Sequence, residues 1–261
     1  MNLNKTCLKI PEIFRTNCLI LICSIFVITS FISNAQEVKE ESYKEQISTT
    51  FLEQEKNSAG FCIIRGTTHK NKVALTFDDG PTDLSLKVIA LLDSYDAKAT
   101  FFWLGKNLQE KRGMISLAND SKHLIANHSW DHTNGWESTN EKLWTSQVKK
   151  TIDTLYSITG SKMRFYRPPF GGITQKQIDF LALQGIYTVL WSITTMDWDP
   201  SQNTEDEIFQ TFKEQLHPGA IVLLHDCDFG NAKAKLKALE RILIYGKSIG
   251  VDFVTIENIN E

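Results

Sequence analysis

The chain has 261 residues, 42% of them hydrophobic, which is ample for one sizeable domain. Its net charge of −3 and pI near 6.1 give no electrostatic basis for a nucleic-acid partner. At the N-terminus, Lys5, Lys9 and Arg15 precede an apolar run from Cys18 to Ile32, and Ser33-Asn34-Ala35 offers small residues before Gln36. That order is the pattern of a secretory signal cleaved after Ala35, so the expectation is export to the periplasm, the cell surface or the medium. Left uncleaved, the segment would be a membrane anchor, although it is short for a span of roughly 20 residues. Lipid attachment at Cys23 is disfavoured by the bulky Ile22 before it.

Three of the five cysteines, Cys7, Cys18 and Cys23, lie in this leader, which leaves Cys62 and Cys227. In an oxidising compartment these two either pair or remain as buried thiols, and their spacing is not that of a metal motif. Residues 36–60 are rich in Glu, Lys, Gln, Ser and Thr, the composition of a solvated, partly helical linker. The expected organisation is a signal peptide at 1–35, a polar linker at 36–60 and a single domain at 61–261.

From Phe61 onward the pattern alternates. Apolar runs predict strands at Val73–Phe77, Ala99–Leu104, His123–Ala126, Met163–Tyr166, Tyr187–Trp191, Ala220–Leu224 and Asp252–Ile256. Between them lie helical periodicities. Leu143, Val148, Ile152 and Leu155 mark one face of a helix ended by Gly160, and Thr174 caps a helix that stops at Gly185. A last helix runs from about Asn231 towards Gly250. Seven strands interleaved with six helices imply an α/β fold with parallel strands and right-handed crossovers. A closed barrel is favoured over an open sheet because polar residues follow the ends of five different strands, and a ring brings them to one mouth. The first strand is not followed by a glycine-rich phosphate loop, which weakens a nucleotide-binding reading.

Those polar residues carry the chemistry. Asp78 and Asp79 leave the first strand into Gly80-Pro81, so one carboxylate can ligate a cation while the other faces water; alternatively, an Asp caps the next helix. His128 and His132 are spaced i, i+4, which on a helical turn places both imidazoles on one face, suited to a single divalent cation. With Asp79 they supply two nitrogens and one oxygen and leave positions open, as in a catalytic rather than a closed structural site. Arg167 opens the stiff segment Arg167-Pro168-Pro169-Phe170-Gly171, where it can hold a carboxylate and the loop can aim a backbone N–H at an oxyanion. His225 ends a nearly all-apolar strand and is suited to proton transfer near neutral pH; Asp197 can orient it and Trp198 can form an apolar wall. His69, His123 and His217 lack such spacing and read as structural or surface residues.

The set Thr76-Phe77-Asp78-Asp79-Gly80, His128-Ser129-x-x-His132, Arg167-Pro168-Pro169-Phe170-Gly171, Asp197-Trp198 and Leu223-x-His225-Asp226 resembles, in order, the five motifs of the polysaccharide deacetylase family. The family is also called the NodB homology domain or carbohydrate esterase family 4, and the resemblance spans roughly Lys72 to Ile256. It implies a distorted (β/α)7-type barrel. It further implies that Asp78 is the general base, with Arg167 tethering it, and that Asp79, His128 and His132 are the metal ligands, with Ser129 supporting their loop. The Phe170 N–H would help bind the oxyanion, Asp197 would tune the general acid His225, and Trp198 and Leu223 would line the acetyl pocket. One departure stands in the fourth motif, where Thr194 occupies a position often held by Asp.

The function this implies is metal-dependent removal of N-acetyl groups from an extracellular amino-sugar polymer of the chitin or peptidoglycan type. The expected cofactor is one divalent ion, Zn2+, with Co2+ or Ni2+ as alternatives. The polysaccharide substrate is the only partner implied: no nucleic acid, no obligate protein, and a membrane only through the leader. The competing readings are an O-acetyl xylan esterase, which would use the same residues, and a catalytically silent glycan-binding protein. A metallophosphoesterase fits poorly because the site lacks ligands for a second metal.

Overall fold

Parallel strands whose two faces are both apolar need cover on each side, and this chain supplies it with helices outside and a packed lumen inside. The computed structural model describes residues 47–67, 70–227 and 230–261. The leader, the first part of the expected linker and His69 lie outside the described residues. No described helix is long and apolar enough to cross a membrane.

In chain order the elements that build the sheet and its cover are α1 (Thr49–Asn57), β1 (Cys62–Ile63), β2 (Lys72–Asp78), α2 (Asp83–Ser94), β3 (Ala99–Trp103), α3 (Gly105–Leu108), α4 (Arg112–Asp120) and β4 (Leu124–Asn127). They continue with α5 (Asn140–Lys142), a π-helical turn at Leu143–Val148, α6 (Lys149–Thr159), β5 (Phe165–Tyr166), α7 (Gln175–Leu183), β6 (Tyr187–Val189) and β7 (Ile193–Thr194). The chain ends through α8 (Glu205–Gln215), β8 (Ile221–His225), α9 (Ala232–Ser248) and β9 (Asp252–Phe253). Ladder pairing is parallel throughout, in the order β1-β6-β5-β4-β3-β2-β8-β7, with β9 added beside β2.

All seven expected strands are present, and the caps fall where the residues predict them. Thr174 caps α7 with a reciprocal Gln177 contact, Asn231 caps α9, and Gly160 ends α6 at a φ of 70°. Two short strands were not anticipated. The stretch expected as one strand at Tyr187–Trp191 stops at Val189, and β7 follows on the other side of the ring. The cause is chemical: the Arg167 guanidinium takes the Val189 and Leu190 carbonyls as acceptors at 3.2 and 3.1 Å, diverting them from a ladder. Because β6 pairs with β5 and β7 with β8, this broken segment carries the chain across the gap and curls the sheet into a distorted barrel.

Strand alternation then sorts the side chains. Val73, Leu75, Phe77, Phe101, Trp103, Val222 and Leu224 pack outward against the helices in the larger core. Ala74, Phe102, Ala126 and Ile221 face inward, joined by Ile256 and Ile259 beyond β9. Thr76 and Asp78 continue the inward face of Ala74, as Leu223 and His225 continue that of Ile221. The lumen is therefore apolar at one end and polar at the other.

The polar stretch at 36–60 needs correction in its second half. Helix α1 lies within the compact unit Ile47–Glu261 and is docked: Gln54 is buried and donates to the Ile173 carbonyl at 2.7 Å, and the Phe51 ring meets Trp191 edge-on at 5.2 Å. Composition hid this because a few scattered side chains, Phe51 and Gln54 among them, do the anchoring. Cys62 and Cys227 are both buried free thiols, and burial pushes the Cys62 thiol up to about 12.

Candidate active site

Every residue expected at the site except Leu223, which lies within β8, sits at the C-terminal end of a strand or in the loop after it. Asp78 and His225 are the last residues of β2 and β8, and they are register partners on adjacent parallel strands with side chains on the same, inward face. Asp79 follows Asp78 with a φ of 77°, a left-handed backbone uncommon outside glycine. The pair does not cap the next helix: Thr82 does so, with a capping box to Ser85.

Arg167 is fully buried and reads the base of the site. Its guanidinium donates to Asp78 Oδ1 at 2.8 Å and Thr76 Oγ1 at 2.7 Å, and stacks over Phe102 at 4.1 Å. A buried charge with four oxygen partners and an aromatic face is anchored on several sides, so Asp78 Oδ1 is held in one place.

The two histidines are not on a helical turn. Asn127 closes β4, and residues 128–132 form an open loop in which Ser129 and His132 both have positive φ, 72° and 68°. Helical spacing is replaced by side-chain bracing: Asn127 Oδ1 accepts from Ser129 N, Ser129 Oγ from His132 N, and Gln147 Oε1 from Trp130 N, at 2.9, 3.0 and 2.9 Å. The loop still brings the imidazoles together, with ring centroids 5.1 Å apart. His128 Nδ1 lies 2.9 Å from the Arg167 carbonyl, an acceptor that keeps a proton on Nδ1 and turns Nε2 towards Asp79.

His128 Nε2 and His132 Nε2 stand 3.4 and 3.2 Å from Asp79 Oδ1, and one donor atom from each of the three residues lies within 4.8 Å of the others. Apart from these imidazoles, the buried Asp79 Oδ1 has no hydrogen-bond partner. Two nitrogens and a carboxylate oxygen at this spacing fit one divalent cation. Burial alone would raise the Asp79 pKa, but the His128 hydrogen bond and the fields of His128, His225 and His132 hold it well below the usual carboxylate range. Burial lowers the His132 pKa, with His128 adding to the effect and Asp79 opposing it.

On the other flank Asp197 is buried and bidentate on His225, accepting from its backbone N–H at 2.8 Å and facing its Nδ1 at 2.7 Å. Burial works against protonation of His225, but Asp197, then Asp78 and Asp79, overcome it and raise the imidazole pKa. Phe170 has a φ of 60° and is 70% exposed, with its ring edge-on to His132 at 4.6 Å. Trp198 is exposed beside Asp197, and Leu223 is buried on the inward face of β8, two residues before His225. Thr194, the departure in the fourth motif, pairs with Leu223 and places its hydroxyl near the Met196 sulfur at 3.7 Å.

Sequence reading missed Asn127 and Gln147. A buried amide next to a histidine pair was the available signal for Asn127. Gln147 is presented by a π-helical turn, a feature over-represented at functional sites and without a sequence signature of its own.

The family described as polysaccharide deacetylase matches residues 65–189. A peptidoglycan-N-acetylglucosamine deacetylase of Bacillus cereus is 33% identical over 192 residues, 73% of this chain and 69% of the relative. The chain belongs to the polysaccharide deacetylase family. The crystal structure of a peptidoglycan N-acetylglucosamine deacetylase in complex with 4-naphthalen-1-yl-N-oxidanyl-benzamide superposes with a TM-score of 0.74 at 31% identity, covering 82% of this chain and 97% of that one. A carbohydrate esterase family 4 pseudoenzyme from Bacillus anthracis matches with a TM-score of 0.69 at 25% identity, covering 76% of this chain and 68% of that one. Family members related to this chain also include a chitin deacetylase of Saccharomyces cerevisiae (30% identity, covering 72% of this chain and 58% of that one) and a bifunctional xylanase/deacetylase of Pseudobutyrivibrio xylanivorans (29%, 75% and 32%). The deacetylase fold and membership of a hydrolase family acting on polysaccharides are thereby shown.

Proposed function

We propose that this protein is exported and hydrolyses N-acetyl groups on an amino-sugar polymer of the chitin or peptidoglycan type, using one divalent cation, zinc, held by Asp79, His128 and His132. The observation that carries the reading is the placement of two separately anchored proton-transfer groups, Asp78 on Arg167 and His225 on Asp197, around one cluster of metal-type donors. When bound, the cation supplies Lewis acidity, polarising the acetyl carbonyl and lowering the pKa of water towards ~7.

Asp78 takes the proton from the attacking water. Arg167 occupies Asp78 Oδ1, which leaves Oδ2, the oxygen on the His128 side at 3.7 Å, to do so. The N–H of Phe170, a residue with a left-handed backbone in the Pro168-Pro169 loop, donates to the oxyanion of the tetrahedral intermediate. His225, charged through Asp197, gives its proton to the departing amine. Leu223 and Trp198 exclude water around the acetyl methyl.

The peptidoglycan deacetylases among the relatives favour an N-acetylated sugar, while the xylanase/deacetylase keeps O-deacetylation as the second reading. The resemblance to a pseudoenzyme keeps a silent glycan-binding protein as a third; the complete set of anchored acid, base and donors speaks against it. Acetate release from peptidoglycan, chitooligosaccharides and acetylxylan, with zinc and with chelator, separates all three. Glycan binding without acetate release from any substrate would overturn the enzyme reading.

A further inference from the structure

Asp226, next to His225 in the fifth motif, is a fully buried carboxylate that the reaction as derived does not use. Such a group must be matched by donors, and three converge on it from three elements. Gly80 N–H donates to Oδ1 at 3.0 Å; Ser85 Oγ and Trp103 Nε1 donate to Oδ2 at 2.6 and 2.9 Å. Its backbone is engaged as well: Asp226 N donates to the Asp78 carbonyl at 3.2 Å, and Thr82 Oγ1 donates to the Asp226 carbonyl at 2.6 Å. One residue on β8's exit thus grips the segment 78–85 at four of its residues. Gly80 is required for this approach, since a Cβ there would meet Asp226 Oδ2 and Trp103 Nε1 at 2.5 Å each.

Asp79 lies inside the gripped segment, between the Asp78 carbonyl and the Gly80 N–H that Asp226 holds. Its left-handed backbone is of the kind that persists only where the surroundings over-determine it. We infer that Asp226 is a positioning residue: by clamping Gly80 to Ser85 and Trp103, it fixes the Asp79 backbone so that its carboxylate faces His128 and His132. The inference rests on Asp79, His128 and His132 being the metal ligands. A carboxylate is needed because only acceptor oxygens can meet all three donors. An amide of the same shape sets its NH2 against at least one of them.

The test is chelator-competition measurement of Zn2+ affinity on the full chain and its Asp226→Asn variant, with the visible spectrum of the Co2+-loaded proteins as a second readout. Misplacing a ligand through its support raises the zinc dissociation constant about 10–100-fold and alters the Co2+ spectrum. Unchanged affinity and spectrum, whatever happens to thermal stability, would make Asp226 a purely structural residue and overturn the inference. Should Asp226→Asn fail to fold, Ser85→Ala decides: it removes one of the three donors, and a several-fold weaker zinc affinity supports the clamp while an unchanged one refutes it. Wild-type protein that binds no zinc or cobalt would instead sink the ligand assignment on which the clamp depends, a result distinct from equal binding by wild type and variant.

Discussion

Asp197 grips His225 twice, once at the backbone N–H and once at the ring Nδ1, so a single carboxylate sets the imidazole's orientation, tautomer and charge. Its field is the chief influence lifting the His225 pKa above its ordinary value against burial. An acid catalyst works while protonated, so turnover should fall as pH rises through that raised pKa. Asp197→Asn removes the field, and the alkaline limb of the kcat/KM–pH profile should move to lower pH. An unmoved limb would dissociate His225 from proton donation. The same linkage acts on stability: the contribution is complete below the unfolded value of ~6.5 and is lost as pH rises through the folded one.

Asp78→Asn and His132→Ala should separate base from ligand. The first should lower turnover about 10²–10⁴-fold with metal retained; the second should lose metal and turnover together. Metal analysis of the purified variants checks both, and metal retained by His132→Ala would refute its assignment as a ligand.

Removal of Arg167 should be felt in stability as well as rate. Asp78 and Arg167 are both buried, and breaking such a pair from one side costs about 3–5 kcal/mol because a charge is left uncompensated. Urea denaturation of Arg167→Met should show this loss. The double variant with Asp78→Asn should recover part of it, because the stranded charge is gone.

Gln147→Ala strips the acceptor from the Trp130 N–H between the two histidines. The donor is part-buried, so leaving it unmet costs less than the about 1–3 kcal/mol of a fully buried one. Chemical denaturation should show that loss, and zinc affinity should fall with it, since the histidine loop has no helix to hold it. Unchanged affinity would mean that Asn127 and Ser129 suffice.

Chelation should abolish acetate release, and zinc or cobalt should restore it. Activity that survives exhaustive dialysis against chelator, with metal analysis confirming removal, would exclude the cation from the chemistry.

Seven of the nine strands among the described residues, three of the helix caps and the grouping of Asp79, His128 and His132 were legible in the chain, because each has a local cause. Apolar runs make strands, Thr and Asn side chains satisfy free N–H groups, and unlike donors clustered after strands have little structural reason to be there. What was misread depended on partners distant in the chain. Residues 128–132 looked like a helical turn because i, i+4 spacing suits one, but Gln147, nineteen residues beyond His128, holds them as a loop with two left-handed residues. The run from Tyr187 looked continuous, yet it breaks where Arg167 captures its carbonyls. Helix α1 looked solvated until Phe51 met Trp191.

By itself, the order of residues determined the alternating α/β architecture and the kinds of chemistry available, since hydrophobic period and side-chain type are properties of short segments. Only the tertiary structure decided which oxygen of Asp78 is occupied, which nitrogen of His128 faces Asp79, and that Asp226 braces the turn beside it. Those are matters of hydrogen-bond direction between segments up to about 150 residues apart, and they come into being only when the sheet curls and brings those segments together.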